Sequence, residues 1–406
     1  MLSQFTVKNY RSILDEATLD MQAAPITEHK EHILVNNGDE FIPISAIYGP
    51  NGGGKTNVLS AIFDLYILIT KPIFISKNVQ SRTGIPKNMI APFKFSDEGK
   101  NSPTEFELFF RTKLAEYRYI LHIKNDVIIY ESLDRVKFET KMPSGIFERN
   151  GKDIRFINKF NQFKVSAELS DTLPLLSYLG ITYRGNSVID DVITWFESGI
   201  SFMNYGNPAR ELQMYVSDSD FVYNLMLNLF KEMDLDIVYF RIEEKDDKIT
   251  DKFTKHIVDG YEEEINLLDE SSGTQKMFSL MPILAEALIE GRTLIVDEID
   301  SKLHPLLLKY IINLFTDPTI NRNAAQLIFT SHDLSTMTNE IFRRDEIWFV
   351  AKGNKQDSQL YSLVEFKTEK GESVRKDASF NNQYLEGKYG ADPYLHKIIN
   401  WGDVYA

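Results

Sequence analysis

The 406-residue chain contains no cysteine. Its absence removes disulfides, zinc–thiolate sites, iron–sulfur clusters and cysteine nucleophiles together, and it fits a reducing, cytoplasmic setting. Positive charge is also short: 45 Lys and Arg stand against 59 Asp and Glu, a formal net charge of −14. A protein that coats nucleic acid carries the opposite sign, so net charge does not support nucleic acid as a partner and any such contact would be local. Long apolar runs are missing. The stretch Leu65–Thr70 ends at Lys71, far short of the roughly 20 residues that span a bilayer, and the opening MLSQFTVKNYRS has no signal-peptide core. The expectation is a cytoplasmic protein with no membrane association. No heptad array, internal repeat or low-complexity tract is present.

What remains is a globular composition, 43% hydrophobic and 26% charged, which excludes a disordered chain. The length exceeds the roughly 250–300 residues at which single cores stop growing, so the core should be enlarged or divided. Short strands are predicted over Gln4–Lys8, Ala17–Met21 and the buried run Ile42–Tyr48, with a helix from Lys55. Residues 103–140 alternate as an antiparallel sheet broken by turn-like AEY and KND segments, and Asn150-Gly151 marks a further hairpin. Apolar spacing turns helical from Thr172 to Asp234. Strands return at Asp236–Ile242 and Ile265–Leu268. A helix over Gln275–Ile289, a strand Thr293–Asp297, a helix Pro305–Phe315 and a strand Gln326–Thr330 follow. Such alternation argues for an α/β fold with a mostly parallel sheet. The expected organisation is an N-terminal half of the core with an antiparallel β subdomain (1–165), a helical insertion (166–240) and a C-terminal half (241–406).

Gly49-Pro50-Asn51-Gly52-Gly53-Gly54-Lys55-Thr56 fits the phosphate-loop pattern G-x-x-x-x-G-K-[ST], and it lies between an apolar strand and a helix, the context the pattern needs. Glycines let the chain curl so that several backbone N–H groups converge on phosphate oxygens, and the helix N-terminus adds its positive dipole end. Lys55 would reach the β- and γ-phosphates of ATP and the Thr56 hydroxyl would ligate Mg²⁺. The strand Leu294-Ile295-Val296 delivers Asp297, a second Mg²⁺ carboxylate, and Glu298, suited to polarise the attacking water because desolvation raises its basicity. Phe329-Thr330-Ser331-His332-Asp333 ends the next strand, so His332 would reach the same sheet edge and could contact the γ-phosphate.

These residues, with Asp269-Glu270-Ser271-Ser272-Gly273-Thr274-Gln275 upstream of the Asp-Glu pair, resemble the motif set of ABC-type P-loop ATPases of the SMC/RecF class. Within it the chain resembles the RloA-like AAA-type ATP/GTP phosphatases, a group that includes the AriA ATPase of the PARIS anti-phage system. FTVKNYRS, ESSGTQ, LIVDEIDSKLHP, QLIFTSHD and YLEGKYGADP carry the likeness. The resemblance implies a homodimer or higher oligomer that sandwiches ATP head to tail. Ser272 and Gly273 would bind the γ-phosphate across the dimer, Gln275 would close the signature, and Asp300 would lie in the interface loop Ile299-Asp300-Ser301. Arg11 would sit near the phosphates and His332 would act as the switch histidine. Ser271 and Thr274 depart from the common LSGGQ signature.

Two other patterns compete for attention. Asn354-Lys355-Gln356-Asp357 matches the guanine-reading N-K-x-D but is expected to be a hairpin turn, since no D-x-x-G follows Asp297. The 74 residues after His332 are too few for a TOPRIM nuclease domain, so an effector would be a separate TOPRIM-like or RloB-like protein. The expected function is an ATP hydrolase regulating such an effector in anti-phage defence. The alternative is a RecF-like DNA-binding ATPase using Lys141, Lys152, Lys159, Lys164, Arg149 and Arg155 as a basic surface. A third reading is an ATP-binding scaffold with negligible turnover.

Overall fold

The computed structural model describes residues 1–71, 90–166, 169–204, 220–232, 237–245, 248–367 and 371–391. Four strands are buried on both faces, and their sequences show it as near-continuous apolar runs. They are β5 (Ile44–Tyr48), β15 (Thr293–Asp297), β16 (Gln326–Thr330) and β17 (Ile347–Lys352). Alternate side chains feed two separate cores: Ile47, Ile295, Ile328, Trp348 and Val350 enter one, and Ala46, Val296, Phe329 and Phe349 the other. With β11 (Ile200–Asn204) and β18 (Ser358–Ser362) they make a six-stranded sheet in the order β11-β15-β16-β5-β17-β18. All its neighbours are parallel except β17 and β18.

The first core lies under a seven-stranded antiparallel sheet. Its order is β10 (Asp153–Phe156), β9 (Pro143–Asn150), β8 (Val127–Lys137), β7 (Ala115–Lys124), β6 (Thr104–Arg111), β1 (Leu2–Lys8) and β2 (Ala17–Asp20). Three helices share that core: α1 (Lys55–Thr70), α3 (Leu175–Thr182) and α4 (Ser187–Ser198). The second core is covered by α5 (Asp220–Glu232), α6 (Ser272–Glu290), α7 (Pro305–Thr316) and the C-terminal helix α8 (Phe380–Leu385). A short helix α2 (Asp97–Asn101) and the small hairpin of β3 (Leu34–Asn36) and β4 (Asp39–Phe41) complete the N-terminal half. A three-stranded antiparallel sheet, β12 (Ile237–Lys245), β13 (Lys248–Val258) and β14 (Tyr261–Asn266), leads into α6. Among the described residues no helix is long and apolar enough to cross a membrane.

The α/β class, the mostly parallel sheet and the antiparallel subdomain agree with the sequence reading, and several local expectations do not. The AEY segment begins β7 instead of forming a turn, because Ala115 and Tyr117 face the core at alternate positions. The stretch read as wholly helical contains β11, which adds the edge strand to the parallel sheet. The strands near 237 and 265 belong to the separate antiparallel sheet, with β13 between them unforeseen; residue 236 and residues 233–234 lie outside the described residues. Asn354–Asp357 is the turn of the β17–β18 hairpin, as expected. Arg149, one of the basic-surface candidates, is buried. Its guanidinium donates to the carbonyls of Gly151 and Leu173 and lies 3.7 Å from Glu131.

Glu131 is fully buried and joins the antiparallel sheet to the helices beneath it. Its carboxylate accepts from the backbone N–H of Leu175 and Leu176 at the start of α3, at 2.7 and 2.9 Å, and from the Tyr119 hydroxyl at 2.9 Å. Burial raises its pKa, and these donors with Arg149 pull it back. Glu131→Ala would strand the helix N-terminus and Arg149 together. Urea unfolding should show a loss of about 3–5 kcal/mol, the range for breaking a buried pair by removing one partner.

Candidate functional site

Strands β15, β16 and β5 lie side by side, with Val296 opposite Phe329 and Thr330 opposite Ile47, so their C-terminal ends are level. That edge of an open α/β sheet is where ligands bind. It gathers the phosphate loop after β5, Asp297 and Glu298 after β15, and His332 after β16.

The loop backbone is shaped by glycine at two positions. Gly49 has φ 153° and a Cβ there would run into the Val350 carbonyl oxygen; Gly54, with φ 112°, would put a Cβ into the Ser358 hydroxyl. Helix α1 starts at Lys55 directly after that left-handed Gly54. A seam of side chains holds the loop from outside. Asn57 Nδ2 donates to Ser12 Oγ at 2.7 Å, Ser12 and Ser358 hydroxyls meet at 2.8 Å, and Ser358 Oγ donates to the Gly53 carbonyl at 2.5 Å. Ser358 N–H also donates to the Ser12 carbonyl at 2.7 Å.

Lys55 is buried, its ammonium donating to the Gly49 and Pro50 carbonyls at 2.9 and 3.3 Å. Burial pushes its pKa below the usual lysine value, and the carboxylates of Asp297, Glu298 and Asp300 pull it upward. Thr56, on the first turn of α1, is exposed. Thr330 Oγ1 donates to Asp297 Oδ1 at 2.5 Å and accepts from the Glu298 N–H at 2.7 Å, so one hydroxyl holds the Asp297 carboxylate and the Glu298 backbone. Glu298 is exposed and adopts a left-handed backbone (φ 49°), a conformation uncommon outside glycine and concentrated at functional sites. Asp300 Oδ2 accepts the His332 N–H at 3.1 Å, while Asp300 Oδ1 is buried with no hydrogen-bond partner among the described residues.

Arg11 also has a left-handed backbone (φ 49°). Its guanidinium pairs with Asp64 of α1 at 3.0 Å and lies over the Tyr10 ring, whose hydroxyl donates to the same carboxylate at 2.5 Å. The arginine is thereby held against the helix that carries the phosphate loop.

The signature segment stands apart. Ser271 caps α6 by accepting the Thr274 N–H at 3.1 Å, and Gln275 Nε2 donates to the Leu268 and Glu270 carbonyls at 3.0 and 2.9 Å. Glu270 is gripped by Thr254 and by His256, the latter at 2.6 Å, which fastens the segment to β13. Among the described residues no hydrogen bond or ion pair joins Ser272, Gly273 or Gln275 to residues 49–56 of the same chain. The segment touches instead the loop after Glu298. Lys276, buried on α6, donates to the carbonyls of Glu298, Ile299 and Ser301 at 3.2, 2.6 and 2.5 Å.

Ser12, Asn57, Asp64, Thr330, Lys276 and Ser358 support the site and were not singled out from sequence. Asp64 and Lys276 left a trace, each being a lone charge inside an apolar helical stripe; Ser12 and Ser358 left none, being 346 positions apart.

Residues 44–338 match the family described as AAA domain, putative AbiEii toxin, Type IV TA system, and the chain belongs to that family. The fold and phosphate loop are those of a P-loop ATPase. Solved structures to which it is similar include the SMC head domain from Thermotoga maritima, with 13% identity, 89% of this chain and 98% of that chain covered, and a TM-score of 0.44. The SMC head bound to the C-winged helix domain of ScpA gives 12% identity, 89% and 97% coverage and a TM-score of 0.48. The SMC head with an extended coiled coil bound to the C-terminal domain of ScpA, from Pyrococcus furiosus, gives 12%, 89% and 96%, and 0.44. No curated protein matches the chain.

Ser358→Ala would remove the hydroxyl that satisfies the Gly53 carbonyl and closes the seam. At about 1 kcal/mol for such a hydrogen bond, fluorescent-nucleotide titration should show roughly fivefold weaker binding with the fold unchanged by circular dichroism.

Proposed function

We propose that the chain hydrolyses ATP between two copies arranged head to tail, and that this cycle holds or releases a separate effector protein in anti-phage defence. The observation that carries the reading is the split site. One sheet edge gathers the phosphate loop, Asp297, Glu298 and His332, while among the described residues no hydrogen bond or ion pair joins the signature residues to their own phosphate loop.

The residues present fit a triphosphate with Mg²⁺. Gly54 lets the loop backbone pass against Ser12 and Ser358, and Thr56 and Asp297 offer the hard oxygen donors Mg²⁺ prefers. Mg²⁺ bound there would neutralise charge on the phosphate oxygens. Asn51, Gly52, Gly53, Gly54 and Lys55 bind and orient the phosphates. Glu298, whose backbone Thr330 holds, takes a proton from the water that attacks the γ-phosphorus, as the bond to the ADP oxygen breaks. His332 lies against the departing phosphate and Arg11 adds positive charge near the loop. Ser272 and Gly273 of a second copy close the site, held by Gln275, and Asp300 with its free buried oxygen reaches the interface. A hydroxyl and a helix N-terminus are good anion partners.

The defence role is supported by the family, whose description names a toxin of a type IV toxin–antitoxin system. The effector is proposed as a separate TOPRIM-like or RloB-like protein. Residues 1–165, 166–240 and 241–406 are proposed as the two halves of the ATPase core around the insertion. The DNA-clamp reading loses Arg149 to the interior, which leaves its basic surface thinner.

Glu298→Gln should lower kcat at least about 100-fold, the lower range for a lost general base, while ATP drives the variant into a stable dimer by light scattering. Unchanged turnover would remove Glu298 from its role, and a monomer at saturating ATP would remove the head-to-tail arrangement.

A further inference from the structure

The loop between β2 and β3 carries a cluster unconnected with the phosphate site. His29, Glu31 and His32 each offer a ligand atom within 4.8 Å of the others, and this is the one such His/Asp/Glu group among the described residues. The two imidazoles stack with centroids 4.8 Å apart. His29 sits in a left-handed backbone (φ 42°), entering the single 3-10 turn Lys30–His32.

The hydrogen bonds fix which ring atoms are available. His29 Nε2 lies 2.8 Å from the Asn339 carbonyl, which can only accept, so Nε2 carries a hydrogen. In the neutral ring Nδ1 then bears a lone pair, and it faces Glu31 Oε1 at 3.2 Å. Two acceptors at that distance repel unless a proton or a cation joins them. His32 repeats the arrangement on its other nitrogen: Nδ1 lies 3.0 and 3.1 Å from the two oxygens of Glu346, which is fully buried, leaving Nε2 for a ligand. An imidazole whose second nitrogen donates to a carbonyl or a carboxylate is the pattern that surrounds metal-bound histidines.

The loop is also held rigidly. Arg343 donates to the Glu28 carbonyl at 2.8 Å and the Ala24 carbonyl at 3.2 Å, Arg344 pairs with Glu28 at 2.6 Å, and Asp345 accepts the Ala24 N–H at 2.8 Å. Ligands in a tetrahedral site with bonds of about 2.0–2.1 Å lie roughly 3.3 Å apart, close to the His29–Glu31 spacing. Glu31 is exposed and can turn toward both rings.

We propose that His29 Nδ1, Glu31 and His32 Nε2 bind a divalent cation of the zinc type. Two imidazoles and a carboxylate suit zinc and exclude magnesium and calcium, which take oxygen ligands. The carboxylates of Glu31 and Glu346 balance its charge. The site lies beside the residues preceding β17, away from the phosphate edge, and fastens the β2–β3 loop to the core.

The test is calorimetric titration of Zn²⁺ into the full, tag-free chain after chelation, with excess Mg²⁺ to saturate oxygen sites, alongside melting curves. One equivalent should bind and raise Tm. His29→Ala and Glu31→Gln should each weaken binding at least about tenfold, and Glu346→Gln about 10–100-fold, the range for outer-shell partners. No one-equivalent binding by the parent chain overturns the proposal, as does parental affinity in Glu31→Gln, whose exposed side chain leaves the fold intact even if His29→Ala does not.

Discussion

The arrangement at the phosphate edge depends on three buried strands ending level. Because β15, β16 and β5 are covered on both faces, their register is fixed by two cores at once, and a slip of one residue would exchange every side chain between them. The positions of Asp297, Thr330 and the phosphate loop are thus consequences of packing. Thr330 turns that alignment into chemistry, since a single hydroxyl reaches across from the middle strand to both Asp297 and the Glu298 backbone.

The phosphate loop is held from two sides with different physics. Inside, the buried Lys55 ammonium is held by the loop's own carbonyls at Gly49 and Pro50. Outside, the Asn57–Ser12–Ser358 seam is neutral and short, and it ties the loop to the first hairpin turn and to β18. Segments from both ends of the chain therefore share in shaping it.

Much of this was legible in the sequence where the signal was local. The phosphate loop, the Asp-Glu pair after an apolar strand and the strand before His332 were each readable from a few adjacent residues. The antiparallel subdomain was legible from period-two alternation. Long-range features were not: β11 hides between helices because its pairing with β15 is 93 positions away, and β13 is too polar to announce itself. Arg149 reads as a surface cation because nothing local reveals that Glu131 and the Leu173 carbonyl await it. The roles of Ser272, Gly273, Gln275 and Asp300 rest on resemblance.

Lys276 gives the molecule a tether. One ammonium on the signature helix holds three backbone carbonyls, of Glu298, Ile299 and Ser301, in the turn at the acidic pair, so the helix start and that turn are tied together. The acidic pair is thereby joined to the start of α6, and the His256–Glu270 contact joins the same segment to the three-stranded sheet.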